Sequence, residues 1–131
     1  MTNNPKRPLT IMCGAGVGGL SWAVASLASG KFEPFDSGVG LIVNQFILTV
    51  STAFLAWRYA IATPILYLTA AYLGMNGYAY LFGGSESTAW VLLGAIVSTT
   101  LLLAPMIGLF VTIAVKALRR RSLSSAQKKS H

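Results

Sequence analysis

The chain has 131 residues, of which 54% are hydrophobic and only 10% are charged, whereas a soluble domain carries about 25% charged residues. This composition excludes an ordinary soluble domain and indicates an integral membrane protein. The net charge is +7, but the basic residues fall at predicted membrane edges, so we interpret them as topology signals and expect no nucleic-acid partner.

Hydrophobic segments predict four transmembrane helices, over about residues 9–29, 39–57, 62–82 and 89–115. Four spans of about 20 residues use roughly 80 residues, so the remainder is short loops and two tails. The predicted fold class is all-α: an integral membrane bundle of four antiparallel transmembrane helices with short loops and a basic C-terminal tail. The predicted parts are a polar cytoplasmic arm, the transmembrane domain and a basic cytoplasmic tail, at residues 1–8, 9–116 and 117–131.

The first span presents small residues on one face. At 100° per residue, five of them fall on one face, each within about 40° of Gly14: Gly14, Gly18, Ser21, Ala25 and Ala28. Lipid gives no hydrophobic drive between helices, so close approach at small residues is a main source of association. We therefore predict helix-packing positions here and at similar faces of the third and fourth spans: Gly14, Gly18, Ala70, Gly74, Gly94 and Gly108.

The same segment also has features of a cleavable signal peptide. Lys6 and Arg7 precede the apolar run, and Ser26-Leu27-Ala28 precedes Ser29. The apolar run is longer than the usual 7–15 residues of such a peptide, and it contains the bulky Trp22. Both interpretations stay open, and cleavage would leave three spans.

The second span carries two adjacent amides, Asn44 and Gln45, in an otherwise apolar run. Gln45, Thr49 and Thr52 lie within about 60° on one helix face. This polar stripe could line a pore or solute site, together with Asn76 and Ser98 of the later spans. Alternatively, these side chains form hydrogen bonds between helices, worth about 0.6 kcal/mol each on average. We favour the packing interpretation, because the predicted spans contain no acid, histidine or basic residue to work with them.

The fourth span contains Pro105, which predicts a tilt or a kink in that helix. Four basic residues follow it closely, and we predict that they contact anionic lipid headgroups at about 1 kcal/mol per residue: Lys116, Arg119, Arg120 and Arg121.

Charge fixes the expected orientation. Nine of the ten basic residues fall on one side of the four-span arrangement, and Lys31 alone falls on the other with the three acids. The positive-inside rule then places both termini in the cytoplasm. We expect the bacterial inner membrane as the location.

Catalytic groups are few. His131 is the single histidine, Cys13 is the single cysteine, and the acids Glu33, Asp36 and Glu86 lie in predicted loops. Paired-carboxylate, Ser-His-Asp and zinc arrangements therefore lack parts. The glycine-rich run at 14–19 lies inside a predicted span and does not follow a strand, so it is not a phosphate-binding loop. We expect no enzymatic activity, no cofactor and no metal.

These exclusions favour a non-enzymatic accessory, regulatory or immunity-type membrane protein. It would act through helix contacts with a membrane-protein partner or with its own copies, in a lipid bilayer with anionic headgroups. The alternative is an oligomeric pore, facilitator or holin-like channel for a small solute, which the polar stripe supports.

Overall fold

The computed structural model describes residues 5–83 and 87–129, with side chains over residues 5–83 and 94–124. These residues form an all-helical structure, so the predicted all-α class is confirmed. The helices are α1 (Arg7–Ser29), α2 (Gly38–Arg58), α3 (Ala62–Phe82), α4 (Ser87–Thr100) and α5 (Leu103–Lys129), with a short 3-10 helix at Pro34–Asp36. The bounds of α1, α2 and α3 agree with the first three predicted spans to within two residues at each end.

Three segments of the described chain are long and apolar enough to cross a membrane: Arg7–Asp36, Gly38–Arg58 and Gly94–Ser124, with mean hydropathies of 1.6, 1.8 and 2.2. The helix α3 is not among them, since its four tyrosines, Pro64 and Asn76 lower its hydropathy. It is instead well covered by its neighbours, with Tyr67, Ala71 and Met75 buried.

The fourth predicted span is not one continuous helix. Two successive N–H groups after Thr100, those of Leu101 and Leu102, donate to carbonyls three residues back at 3.1 Å each, instead of four residues back. The break lies just before Pro105, which has no N–H to offer the Leu101 carbonyl four residues earlier. The predicted kink thus takes the form of two helices, α4 and α5.

The helix α5 continues beyond the predicted end of the span, so residues 117–129 of the predicted tail are helical. The remaining parts of the predicted arm, second loop and tail, at residues 1–4, 84–86 and 130–131, lie outside the described residues.

Contacts between helices fix their directions. Two contact pairs show that α1 and α2 are antiparallel: Ser21 with Asn44, and Ser29 with Gly40. Two further pairs show that α2 and the α4–α5 segment are parallel: Gln45 with Leu101, and Ala56 with Lys116. The helices α1 and α3 are also parallel, since Gly14 lies against Ala70 and Gly19 against Tyr78. The described helices therefore alternate in direction, as the prediction of antiparallel neighbours requires.

One end of the bundle, which we call the acidic end, is formed by residues 30–37. Gly30 closes α1 with a positive φ of 68°, and its N–H donates to the Ser26 carbonyl. The loop then folds back over α1, since the Trp22 indole N–H donates to the Phe32 carbonyl at 2.9 Å. Phe35 meets the same indole edge to face, with ring centroids 6.1 Å apart. The opposite end, formed by residues 56–61 and the start of the basic segment at Lys116, is the basic end.

Candidate functional site

The two amides of α2 have separate partners in the structure. Gln45 donates from Nε2 to the Leu101 carbonyl oxygen at 2.8 Å. That carbonyl lies in the break between α4 and α5, four residues before Pro105. The Gln45 amide therefore replaces the hydrogen-bond donor that the helix lacks because residue 105 is a proline. The bond also connects α2 to the break between α4 and α5.

Asn44 faces the other way, toward α1 and α3. Its Nδ2 donates to the Ser21 hydroxyl at 3.0 Å and contacts the Met75 sulfur at 3.7 Å. The side chain is fully buried, and its Oδ1 has no hydrogen-bond partner among the described residues. Ser21 also donates to the Gly18 carbonyl at 2.7 Å, so its hydroxyl is satisfied with or without Asn44.

The predicted polar stripe does not continue along α2 as a polar surface. The Thr49 methyl group packs at Gly108 of α5, where an added Cβ would lie 2.8 Å from Thr49 Cγ2. Thr52 is fully buried, and its hydroxyl has no partner in the described structure. Leu48, also fully buried, lies between Asn44 and Thr52 on the same helix face. The stripe is therefore interrupted by apolar packing.

Asn76 and Ser98 do meet, as two of the predicted polar positions. The Ser98 hydroxyl donates to Asn76 Oδ1 at 3.1 Å, and Asn76 Nδ2 donates to the Tyr72 carbonyl at 2.9 Å. Tyr72 in turn donates from its hydroxyl to the Ala95 carbonyl at 2.9 Å. These bonds join α3 to α4 and do not connect with Asn44 or Gln45.

The small residues of α1 and α3 make a close helix–helix contact inside the chain. A Cβ added at Gly14 would lie 2.8 Å from Ala70 Cβ, and one added at Gly18 would collide with the Ala71 backbone. Likewise, a Cβ at Gly74 would collide with the Ala15 carbonyl. These glycines therefore serve packing within one copy of the chain.

Gly94 differs from the other predicted packing positions. An added Cβ there would meet no atom of the described residues within 4 Å. The residue lines a cavity at the acidic end instead of a helix contact.

At the basic end, the Lys116 ammonium holds the end of α2. Its Nζ donates to three backbone carbonyls, those of Ala56, Trp57 and Tyr59, at 3.1, 2.8 and 3.3 Å. A helix C-terminus leaves carbonyls without intrahelical partners and carries partial negative charge, so an ammonium is well matched to it. The charge of Lys116 is thus engaged within the protein.

The arginines that follow line the outside of this end. The Arg119 guanidinium lies 5.7 Å from the centre of the Trp57 ring, within cation–π range. Arg120 borders a surface cavity of about 700 Å³ together with Arg58 and Tyr59. Arg121 is exposed. Their predicted contact with lipid headgroups stays a prediction.

Sequence reasoning missed several of these partners. Ser21 was noted only as a small residue, yet it accepts the Asn44 bond. The Tyr67 hydroxyl donates to the Ser51 hydroxyl at 2.9 Å and joins α3 to α2. Periodicity could have found Ser21, because a serine in a small-residue face offers a hydroxyl at close range. The pairing of Tyr67 with Ser51 depends on helix register, which no local pattern encodes.

Comparisons of the chain with protein-family models, with curated proteins and with solved structures find no match. The described chain defines a small all-helical protein with three membrane-length apolar helices.

Proposed function

We propose that this chain is a non-enzymatic integral membrane protein of accessory, regulatory or immunity type. It acts by helix contact with a membrane-protein partner or with another copy of itself. The observation that carries the proposal is the use of the polar side chains: Asn44, Gln45, Asn76 and Ser98 all hydrogen-bond to other parts of the same chain. Because these side chains are already hydrogen-bonded within the chain, they support a role in helix packing and not in a path for a transported solute.

The surface available for such a contact lies on α5. This helix packs mainly along α2, and most of its apolar surface is uncovered, with four large side chains exposed: Leu103, Ile107, Phe110 and Val111. In contrast, the glycine faces of α1 and α3 are already occupied by each other. The segment Gly94–Ser124, which contains most of α5, is also the least buried of the three apolar segments, at 17% against 28% for the other two. We therefore place the partner helix on α5.

The proposed location is the bacterial inner membrane, with both termini in the cytoplasm. The basic end carries Arg58 and Lys116, and the acidic end carries Glu33 and Asp36. This separation of charge along the bundle axis is what the positive-inside rule predicts for a cytoplasmic basic end. A C-terminal alkaline phosphatase fusion should be inactive, whereas a fusion after Phe35 should be active. Reversed activities would contradict the orientation.

Site-specific photo-crosslinking in intact membranes tests the contact. A photoreactive residue at Phe110 or Val111 of α5 should give one discrete protein adduct, either a partner or a second copy. A photoreactive residue at Leu20 or Leu27, exposed positions of α1, is the matched control and should label lipid. Lipid labelling alone at both faces would contradict the proposal.

The alternative is an oligomeric pore, facilitator or holin-like channel, and one observation favours it. Among the described residues, Asn44 Oδ1 and Thr52 Oγ1 are buried without hydrogen-bond partners, as expected for groups that face a solute path. Purified protein in vesicles tests this directly. Solute flux above that of empty vesicles, lost in Asn44→Leu while the helices stay folded, would favour the pore over the contact protein.

A further inference from the structure

A cavity of about 630 Å³ lies at the acidic end of the bundle. Sites for small organic ligands have volumes of about 300–1,000 Å³. The walls come from three different parts of the chain, since Trp22 of α1, Phe35 of the loop and Tyr72 of α3 all line it. Gly94 and Ala95 of α4 also line it, and a Cβ added at Gly94 would meet no described atom within 4 Å.

Aromatic rings form a large part of the lining. Five of the thirteen lining residues are aromatic: Trp22, Phe32, Phe35, Tyr72 and Tyr80. Trp22 is held in place by its indole bond to the Phe32 carbonyl, and Phe32 stacks on Tyr78 with ring centroids 6.2 Å apart. The walls are thus built before any ligand enters, which lowers the cost of binding.

Two carboxylates complete the lining, Glu33 and Asp36. Among the described residues neither carboxylate has a hydrogen-bonded or ion-paired cation, and the nearby Lys31 is exposed and does not line the cavity. The cavity therefore combines apolar aromatic walls with uncompensated negative charge.

This combination selects one class of ligand. A neutral apolar molecule would gain nothing from the carboxylates, and an anion would be repelled by them. A metal ion needs several oxygen, nitrogen or sulfur ligands, and no such group of three or more acids, cysteines or histidines exists in the described residues. Organic cations, by contrast, are attracted both by aromatic ring faces and by carboxylates.

We propose that this aromatic cavity binds a small organic monocation, an amine or quaternary ammonium with an apolar body. The apolar body contacts Trp22, Phe35 and Tyr80, and the cationic head lies toward Glu33 and Asp36. This goes beyond the proposed contact function and does not depend on it, because the cavity and the exposed face of α5 involve different residues.

The test uses benzyltrimethylammonium as the probe and benzyl alcohol as its neutral counterpart. In the variant Trp57→Phe/Trp90→Phe, Trp22 is the single tryptophan of the chain, so its fluorescence reports on the cavity in detergent-purified full-length protein. The cation should quench Trp22 saturably. Benzyl alcohol should give no saturable change at equal concentration, and saturable binding of both compounds with equal affinity would overturn the proposal.

Variants locate the site. Replacing both carboxylates, Glu33→Gln with Asp36→Asn, should weaken the cation's affinity at least tenfold, while Lys31→Gln should not weaken it. Tyr80→Leu should also weaken it, whereas Phe54→Leu, at an exposed position on α2, should not. These substitutions are at or near the surface, and circular dichroism verifies that each variant stays helical. Unchanged affinity in both the double carboxylate variant and Tyr80→Leu would overturn the proposal.

Discussion

The Gln45 side chain donates to the Leu101 carbonyl oxygen at 2.8 Å. Residue 105, four positions later, is a proline and has no N–H to donate to this carbonyl. In hydrocarbon, an unpaired carbonyl costs several kcal/mol, because no water replaces the missing donor. One amide of α2 thus compensates a proline sixty positions later in the chain. The bond also sets the register of α2 against the break between α4 and α5.

The neighbouring Asn44 is expected to matter less for stability, although it is more deeply buried. Its Oδ1 has no hydrogen-bond partner in the described part of the chain, and the Ser21 hydroxyl keeps its bond to the Gly18 carbonyl when Asn44 is replaced. We expect Asn44→Leu to change the free energy of unfolding by less than about 1 kcal/mol, since removing a partly satisfied polar group for an apolar one of similar shape is often close to neutral. Unfolding in mixed micelles at increasing dodecyl sulfate content measures this. If Asn44→Leu lowered the free energy of unfolding by more than Gln45→Met does, the proposed roles of the two amides would be reversed.

The contact between α1 and α3 predicts a large difference between two glycines of one helix. A Cβ at Gly18 would collide with the Ala71 backbone, whereas one at Gly16 meets nothing within 4 Å. We expect Gly18→Ala to cost about 1–3 kcal/mol, as overpacking does. Gly16→Ala is the matched control and should be neutral or stabilise by up to about 1 kcal/mol. The same micelle unfolding assay measures both, and equal effects would contradict the described packing.

The cap at the end of α2 depends on the Lys116 ammonium. Lys116→Met removes the donor for three carbonyls and should lower the free energy of unfolding by about 1–3 kcal/mol. Lys31→Met removes the same charge from an exposed side chain at the other end and should have little effect. Hydrogen exchange at the last turn of α2 should increase in the first variant only. An unchanged exchange rate there would show that Lys116 does not hold this helix end.

The sequence predicted the helices well, because their signals are local. Hydrophobic length located α1, α2 and α3 as helices, although α3 is less apolar than the predicted membrane span requires. Pro105 indicated where the fourth segment would deviate. The small-residue faces of Gly14 and Gly18 also predicted a close contact, and the structure supplies Ala70 and Ala71 as the opposing surface.

The partners of the polar side chains were not predictable in the same way. Asn44 and Gln45 are adjacent, so their side chains project about 100° apart and reach different helices. Which carbonyl or hydroxyl each one meets depends on the register between helices, and that register is set by packing over the whole interface. The hydrophobic pattern likewise gave no sign that Lys116 would turn back onto α2.

A double-mutant cycle between Gln45 and Pro105 is the sharpest test of the claim that polar side chains between the helices hold the helices of this chain together. With Pro105 present, Gln45→Met leaves the Leu101 carbonyl without a hydrogen-bond donor and should lower the free energy of unfolding by about 1–3 kcal/mol. In the Pro105→Ala background, the restored N–H at position 105 can donate to that carbonyl. There, Gln45→Met should lower the free energy of unfolding by at least about 1 kcal/mol less than it does with Pro105 present. An equal cost of Gln45→Met in both backgrounds would contradict the account.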